Sequence, residues 1–322
     1  MYAENRFFTE KIKEYYKEKI SETIRSRNGA KDEIVFIPGE PYKINIEVLL
    51  TAERKEIFET DGIKLYMTVC SAQKYKSMSN AELLFALNSV YPDKVNKIKH
   101  ERGGYEYEIC DVIDDRSAQD IIEKAAGLIR DEFAQYNENY ADKYFDKKIK
   151  CVNDLKAVLE NMFGDLKQTL CINGSAKPVI DYSLISGDLR HKLLSSIGTR
   201  TCPYCNRNYI TRYGADGSKS TADLDHFYQK EQYPLFALSL FNFVPSCPTC
   251  NSRMKNLHPA DDSLYPYEEG FDDDARFDLK YIGDNNKNED ILHLWQALKD
   301  VKYSDFNVEI VSLNSEPCKC QE

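Results

Sequence analysis

TCPYCNRNYITRYGADGSKSTADLDHFYQKEQYPLFALSLFNFVPSCPTCNSRMK, residues 201–255, decides how this chain is read. The stretch opens on Cys202-Pro-Tyr-Cys205 and closes on Cys247-Pro-Thr-Cys250, with Asp225-His226 between the two pairs. Two CxxC knuckles offer four soft thiolates whose short loops suit a tetrahedral Zn²⁺. A Zn²⁺ held by Cys202, Cys205, Cys247 and Cys250 keeps no open coordination position, so it would be structural and would contribute to folding rather than to bond cleavage. The segment clasped by the knuckles carries the residue types that a hydrolytic metal centre needs.

Between the knuckles, NYITRY at 208–213 reads as a strand, residues 214–217 as its turn, and STADLDH at 220–226 as the returning strand. The predicted hairpin therefore ends on Asp225-His226. After a loop, LFNFVPS leads into the second knuckle, and CPTCNSRMK at 247–255 has the length and composition of a short helix, with Pro248 in its first turn. The order is strand, strand, helix.

These motifs resemble the HNH endonucleases, the ββα-metal nucleases, in the zinc-knuckle form in which two CxxC pairs brace the fold. The likeness spans about residues 200–258. It implies that His226 is the general base, that Asp225 and Asn251 hold a catalytic Mg²⁺ or Mn²⁺, and that Asn242 hydrogen-bonds backbone near His226 to orient the imidazole. The nine-residue interval from Asn242 to Asn251 is similar to that in the HNH domain of RNA-guided DNA nucleases. Arg253 and Lys255 are expected phosphate contacts. Members of this type often carry Lys three residues after the helix ligand, a position held here by Met254.

The chemistry asks for the same residue types. Phosphodiester hydrolysis needs an activated water, a Lewis acid and some neutralisation of the phosphate. An imidazole can take a proton from water at neutral pH, and carboxylate and amide oxygens suit Mg²⁺. Adjacent residues of a regular strand point to opposite faces, so Asp225 and His226 share one site only if the strand bends or ends there. Asp223, two residues earlier, shares a face with Asp225 and reads as a solvated carboxylate.

Composition bounds the remainder. With 322 residues, 42% hydrophobic and 30% charged, the chain has the make-up of a globular protein with room for two cores, which excludes a disordered tract or a membrane protein. Ten cysteines and a charged N-terminus without an apolar signal core predict a cytoplasmic protein that keeps its thiols reduced. The net charge of −10 argues against a nucleic-acid partner until its distribution is read. Residues 190–260 hold nine Lys/Arg against four Asp/Glu, whereas 261–284 hold nine acids against two bases.

Along the chain, residues 8–27 show helical spacing that stops at Asn28-Gly29, and 117–167 are predominantly helical in pattern. Runs at 33–38, 42–48, 63–69 and 105–112 read as strands of one small sheet. Residues 275–283 and 306–313 read as strands flanking a helix at 289–300. The Gly/Ser/Pro-rich zone 171–188 suggests a boundary. The fold class is thus α+β: an N-terminal mixed α/β domain over 1–185, then a ββα-metal HNH nuclease module over 186–322, with core 200–258, a four-cysteine zinc brace and a C-terminal α/β extension.

The resemblance implies DNA as substrate and a role in bacterial restriction or anti-phage defence. A protein partner such as an ATPase sensor fits a chain with no phosphate-binding glycine loop of its own. Two rivals stand beside this reading: a zinc-braced nucleic-acid-binding module without hydrolysis, and an HNH nuclease that cleaves RNA such as tRNA.

Overall fold

Ile12, Tyr16, Ile20 and Ile24 recur every fourth residue, and their burial along one stripe is what folds Glu10–Arg27 into helix α1. Asn28 closes it by donating its N–H to the Ile24 carbonyl at 2.8 Å, and Gly29 then takes a left-handed φ of 68°. The computed structural model that shows this describes residues 8–79, 82–83, 95–99, 105–109, 115–214, 219–255, 264–268, 275–281 and 306–312.

Strands β1 (Glu33–Val35) and β2 (Lys43–Asn45) pair antiparallel, and β2 passes directly into α2 (Ile46–Thr51), where the Asn45 side chain accepts from Glu47 and Val48 N–H groups as an N-cap. The short helices α3 (Arg54–Phe58), α4 (Ile63–Ser71) and α5 (Lys74–Ser77) follow. Helix α4 corrects the strand expected at 63–69. In sequence Ile63, Leu65, Met67 and Val69 alternate, but the residues buried are Ile63, Leu65, Tyr66, Val69 and Cys70, which follow helical spacing, and an apolar run this short does not choose between the two periods in advance. Gly62 permits the entry: its φ is 82°, and a Cβ there would lie 2.3 Å from Tyr42 Cγ.

Strands β3 (Val95–Lys99) and β4 (Tyr105–Ile109) form a second antiparallel pair, so the single sheet expected in this half is two separate ribbons. Helices α6 (Asp115–Ala134), α7 (Glu138–Phe145), α8 (Val152–Thr169) and α9 (Gly187–Ser196) complete it, α9 being capped by the Ser186 hydroxyl.

Two compact units result. One spans Glu4–Asp261; the other joins Met1–Ala3 to Asp262–Glu322. Within the first, contacts cross residue 185 freely. Tyr16 Oη donates to the Leu238 carbonyl at 2.7 Å, the Leu235 N–H donates to Tyr66 Oη at 2.9 Å, and Arg54 Nε donates to Tyr228 Oη at 3.2 Å. Phe58, Tyr66, Tyr228, Tyr233, Phe236 and Phe241 pack edge-to-face and stacked into one aromatic cluster. The N-terminal half thereby grips the loop that follows Asp225-His226.

Past α9 come β5 (Arg212–Tyr213) and β6 (Lys219–Ser220), a two-pair ladder, and then β7 (Asp223–His226), which leaves that hairpin and pairs instead with β8 (Phe243–Ser246). The expected returning strand 220–226 is split where side chains enter its ladder: the Thr221 N–H still donates to the Thr211 carbonyl at 3.0 Å, but Thr221 Oγ1 accepts the Thr211 N–H at 2.9 Å and Ser220 Oγ the Ala222 N–H at 3.1 Å. In the second unit β9 (Ala275–Tyr281) and β10 (Phe306–Ser312) pair antiparallel along seven residues. The turn expected at 214–217 is described only at Gly214, and the helix at 289–300 lies outside the described residues.

Candidate functional site

Cys202, Cys205, Cys247 and Cys250 converge, each Sγ lying within 4.8 Å of the others. A tetrahedral set of thiolates at about 2.3 Å from Zn²⁺ has edges of about 3.8 Å, so the donor set suits the ion. Burial opposes ionisation of Cys247, yet the Asn208 amide, donating to its Sγ at 3.1 Å, and the Cys250 N–H outweigh it and bring the thiol down to about 7. Cys250 is pushed up by burial and by its Cys247 and Cys205 neighbours. Four thiols this close cannot all ionise without a cation among them.

Strand β7 and its partner set the rest. In this register Asp223 faces Ser246, Asp225 faces Val244 and His226 faces Phe243. Directly opposed residues share a face, so Asp223, Asp225 and Ser246 lie on one side of the ribbon and His226 on the other. The pairing stays regular through His226, where the strand ends, so the bend expected between the two residues does not occur within the ladder.

On the carboxylate side, Asp223 Oδ2 accepts from Asn251 Nδ2 at 3.1 Å. Asp225 Oδ2 accepts from Tyr204 Oη and from Lys255 Nζ, both at 2.7 Å. Lys255, expected to contact phosphate, is turned inward: its ammonium also bonds the His226 carbonyl, and its side chain is 11% exposed. Burial, the larger influence, lowers the Lys255 pKa against the pull of Asp225. Arg253 is exposed, and so is Met254 beside it. Asn251, Arg253 and Lys255 sit on a π-helical turn, Cys250–Lys255, entered from Pro248 where the short helix was expected.

Ser246 keeps a buried hydroxyl with no hydrogen-bond partner among the described residues.

On the opposite side, His226 Nε2 lies 3.0 Å from the Ala237 carbonyl. A carbonyl only accepts, so Nε2 carries the proton and Nδ1 keeps its lone pair. Burial dominates the titration of this ring and pushes it down to about 4, with Lys230 adding to the effect and the Ala237 and Asp225 contacts opposing it. The imidazole is therefore neutral at pH 7. Its ring packs edge-on against Tyr182 and Phe243, at centroid distances of 4.7 and 5.2 Å.

Asn242, wholly buried, closes the loop over this ring. Its Oδ1 accepts the Tyr228 N–H at 2.6 Å, and its Nδ2 donates to the Tyr228 and Phe236 carbonyls at 2.9 and 3.0 Å. The two ends so tied are the residue two beyond His226 and the one before Ala237. One amide thus positions both the imidazole's strand and the carbonyl that fixes its proton.

Sequence reasoning missed three contributors. Asp223, a solvated carboxylate by sequence, holds Asn251, and its two-residue offset from Asp225 is the available signal. Tyr182, whose phenol is raised first by burial and then by the Asp223 and Asp225 charges against Arg190, reaches the site from outside the knuckles. Ala237 acts through its backbone, for which no sequence signal exists. No protein-family model, no curated protein and no solved structure matches the chain.

Proposed function

We propose that the protein is an HNH-type endonuclease that hydrolyses phosphodiester bonds in DNA with Mg²⁺ or Mn²⁺, acting in bacterial restriction or anti-phage defence. The observation that carries this reading is the neutral imidazole of His226, its proton held on Nε2 by Ala237 and its Nδ1 left as the acceptor, at the end of a strand that carries two carboxylates on its other face. A group held in one tautomer with a free lone pair is what general-base attack by water requires.

The donor set suits a hard divalent cation. Asp225, Asp223 and Asn251 offer carboxylate and amide oxygens on one face, and the orphaned Ser246 hydroxyl on that face has room in its bonding for water. When bound, such an ion supplies Lewis acidity to the phosphate and its leaving oxygen. His226 accepts the proton of the attacking water at Nδ1. Asn242 holds the ring's supporting loop closed, and Arg253, exposed on the π-turn, contacts phosphate. The four cysteines would hold Zn²⁺ as a brace that joins the segment bearing Asn208 to the turn bearing Asn251.

A second reading has one specific observation in its favour. The Lys255 ammonium already stands on Asp225, as a divalent ion would, so a zinc-braced nucleic-acid-binding module without hydrolysis is the rival. Supercoiled plasmid incubated with Mg²⁺ or Mn²⁺ decides between them. Nicking that falls by about 10²–10⁴ in His226→Ala supports the nuclease. Absence of nicking, or a variant as active as the parent, would sink it, and parallel digestion of labelled RNA identifies an RNA-cleaving enzyme.

A further inference from the structure

Most aromatic side chains between the knuckles are packed inside, but two are not. Tyr209 is 77% exposed and Tyr213 53% exposed, while Ile210 between them is buried. Alternation along this extended segment puts Tyr209, Thr211 and Tyr213 on the outer side. Tyr213 is directly opposite Lys219 in the β5–β6 ladder, so an ammonium shares that side.

The stripe is rigidly mounted. The Cys202 N–H donates to the Asn208 carbonyl at 2.9 Å and the Ile210 N–H to the Arg200 carbonyl at 2.8 Å. Asn208 reaches Cys247 Sγ, and the Arg212 guanidinium is fixed on the Ile197 carbonyl at 3.0 Å. Its charge is one-sided: residues 197–222 contain Arg200, Arg207, Arg212 and Lys219 against Asp216 alone, in a chain whose net charge is −10. Four extended residues separate the rings by roughly 13 Å, enough for more than one nucleotide.

From these observations we infer that Tyr209 and Tyr213 form a stacking platform for unpaired bases, and that the polymer this protein engages is single-stranded DNA or the unpaired stretch of a DNA junction. Flat rings standing out of a cationic ribbon meet π-faces, which a duplex hides and an unpaired base presents. Each Tyr orders only two side-chain torsions, and the cysteine brace has already ordered its backbone. The inference rests on the nuclease reading for the polymer's identity, but its test needs no hydrolysis.

Fluorescence anisotropy of labelled oligothymidylate, without added Mg²⁺ or Mn²⁺, gives the measurement. The full chain should bind the single strand more tightly than a duplex or an RNA of equal length. Tyr209→Ala and Tyr213→Ala should each weaken it about 5- to 150-fold, the range of one lost base stack, while Tyr→Phe at either site holds affinity within about twofold. Lys219→Ala should reduce the salt slope by about one without changing the preference for single strands. Equal losses on duplex and single strand, tighter binding of RNA, or a double alanine variant that binds like the parent overturns the inference. Plasmid nicking abolished in His226→Ala with oligothymidylate binding intact shows that the two claims stand or fall separately.

Discussion

Replacing Lys255 by Met removes the ammonium that Asp225 and the His226 carbonyl hold while keeping most of the side chain's apolar volume. At 2.7 Å two unit charges attract by about 6 kcal/mol at an effective dielectric of 20. Most of that attraction offsets the desolvation of both groups. The loss is set instead by the carboxylate left behind, whose side chain is only 10% exposed, and removing one partner of a buried pair costs about 3–5 kcal/mol. Tyr204 still donates to Asp225 Oδ2, which places the expectation near the lower end, about 3 kcal/mol. Urea unfolding followed by circular dichroism measures it. Adding Mn²⁺ at about a hundred times its Kd should then return up to about 2.7 kcal/mol to the variant and less to the parent, because the ammonium competes for Asp225. Equal stabilisation of both proteins by Mn²⁺, or a variant within about 0.5 kcal/mol of the parent in its absence, refutes the reasoning.

Other outcomes follow from the same geometry. Asn242→Ala strips Tyr228 and Phe236 of buried partners, so it should cost about 3 kcal/mol in urea unfolding and abolish nicking, whereas a distant surface alanine does neither. Metal analysis should find about one zinc per chain that survives mild chelation while nicking is lost; Cys250→Ser should lose the zinc and much of the folded signal together. Burial raises the phenols of Tyr16 and Tyr66 well above their ordinary range, so the folded state keeps protons that the unfolded chain releases from about pH 10. Their contribution is complete below that pH and is lost as pH rises toward the folded values, by up to about 1.4 kcal/mol per pH unit per group, and Tyr16→Phe should flatten an alkaline unfolding profile.

How far the fold could be read from sequence varies with what each segment's pattern excludes. In α1 a strand would put Glu14, Glu18 and Glu22 on the same face as Ile12, Tyr16, Ile20 and Ile24, whereas a helix separates them, and its charged faces fit no wholly buried helix, so the sequence leaves one answer. Residues 63–70 fit either period, and packing of Tyr66 against Phe36 and Phe236 decides for a helix. The split between β6 and β7 was hidden for another reason. The partner that β7 takes is β8, some twenty residues later in the chain, and the local pattern at 220–226 does not specify it.

At the candidate site the division runs between side chains that act alone and those that act through another group. Asp225, His226, Asn242 and Asn251 could be singled out because their residue types, placed between the knuckles, match the pattern of the resemblance. The partners that shape their behaviour, namely Lys255 on Asp225, Asp223 on Asn251 and Ala237 on His226, are fixed only by tertiary contact. The Ala237 carbonyl is the telling case. It belongs to a loop whose neighbours Tyr233, Leu235 and Leu238 are held by Ser71, Tyr66 and Tyr16, all from the first half of the chain. The tautomer of His226 therefore depends on packing supplied by residues 16–71, which carry no nuclease motif. An N-terminal half that looked like an appended domain is, at this point, part of the support on which the imidazole rests.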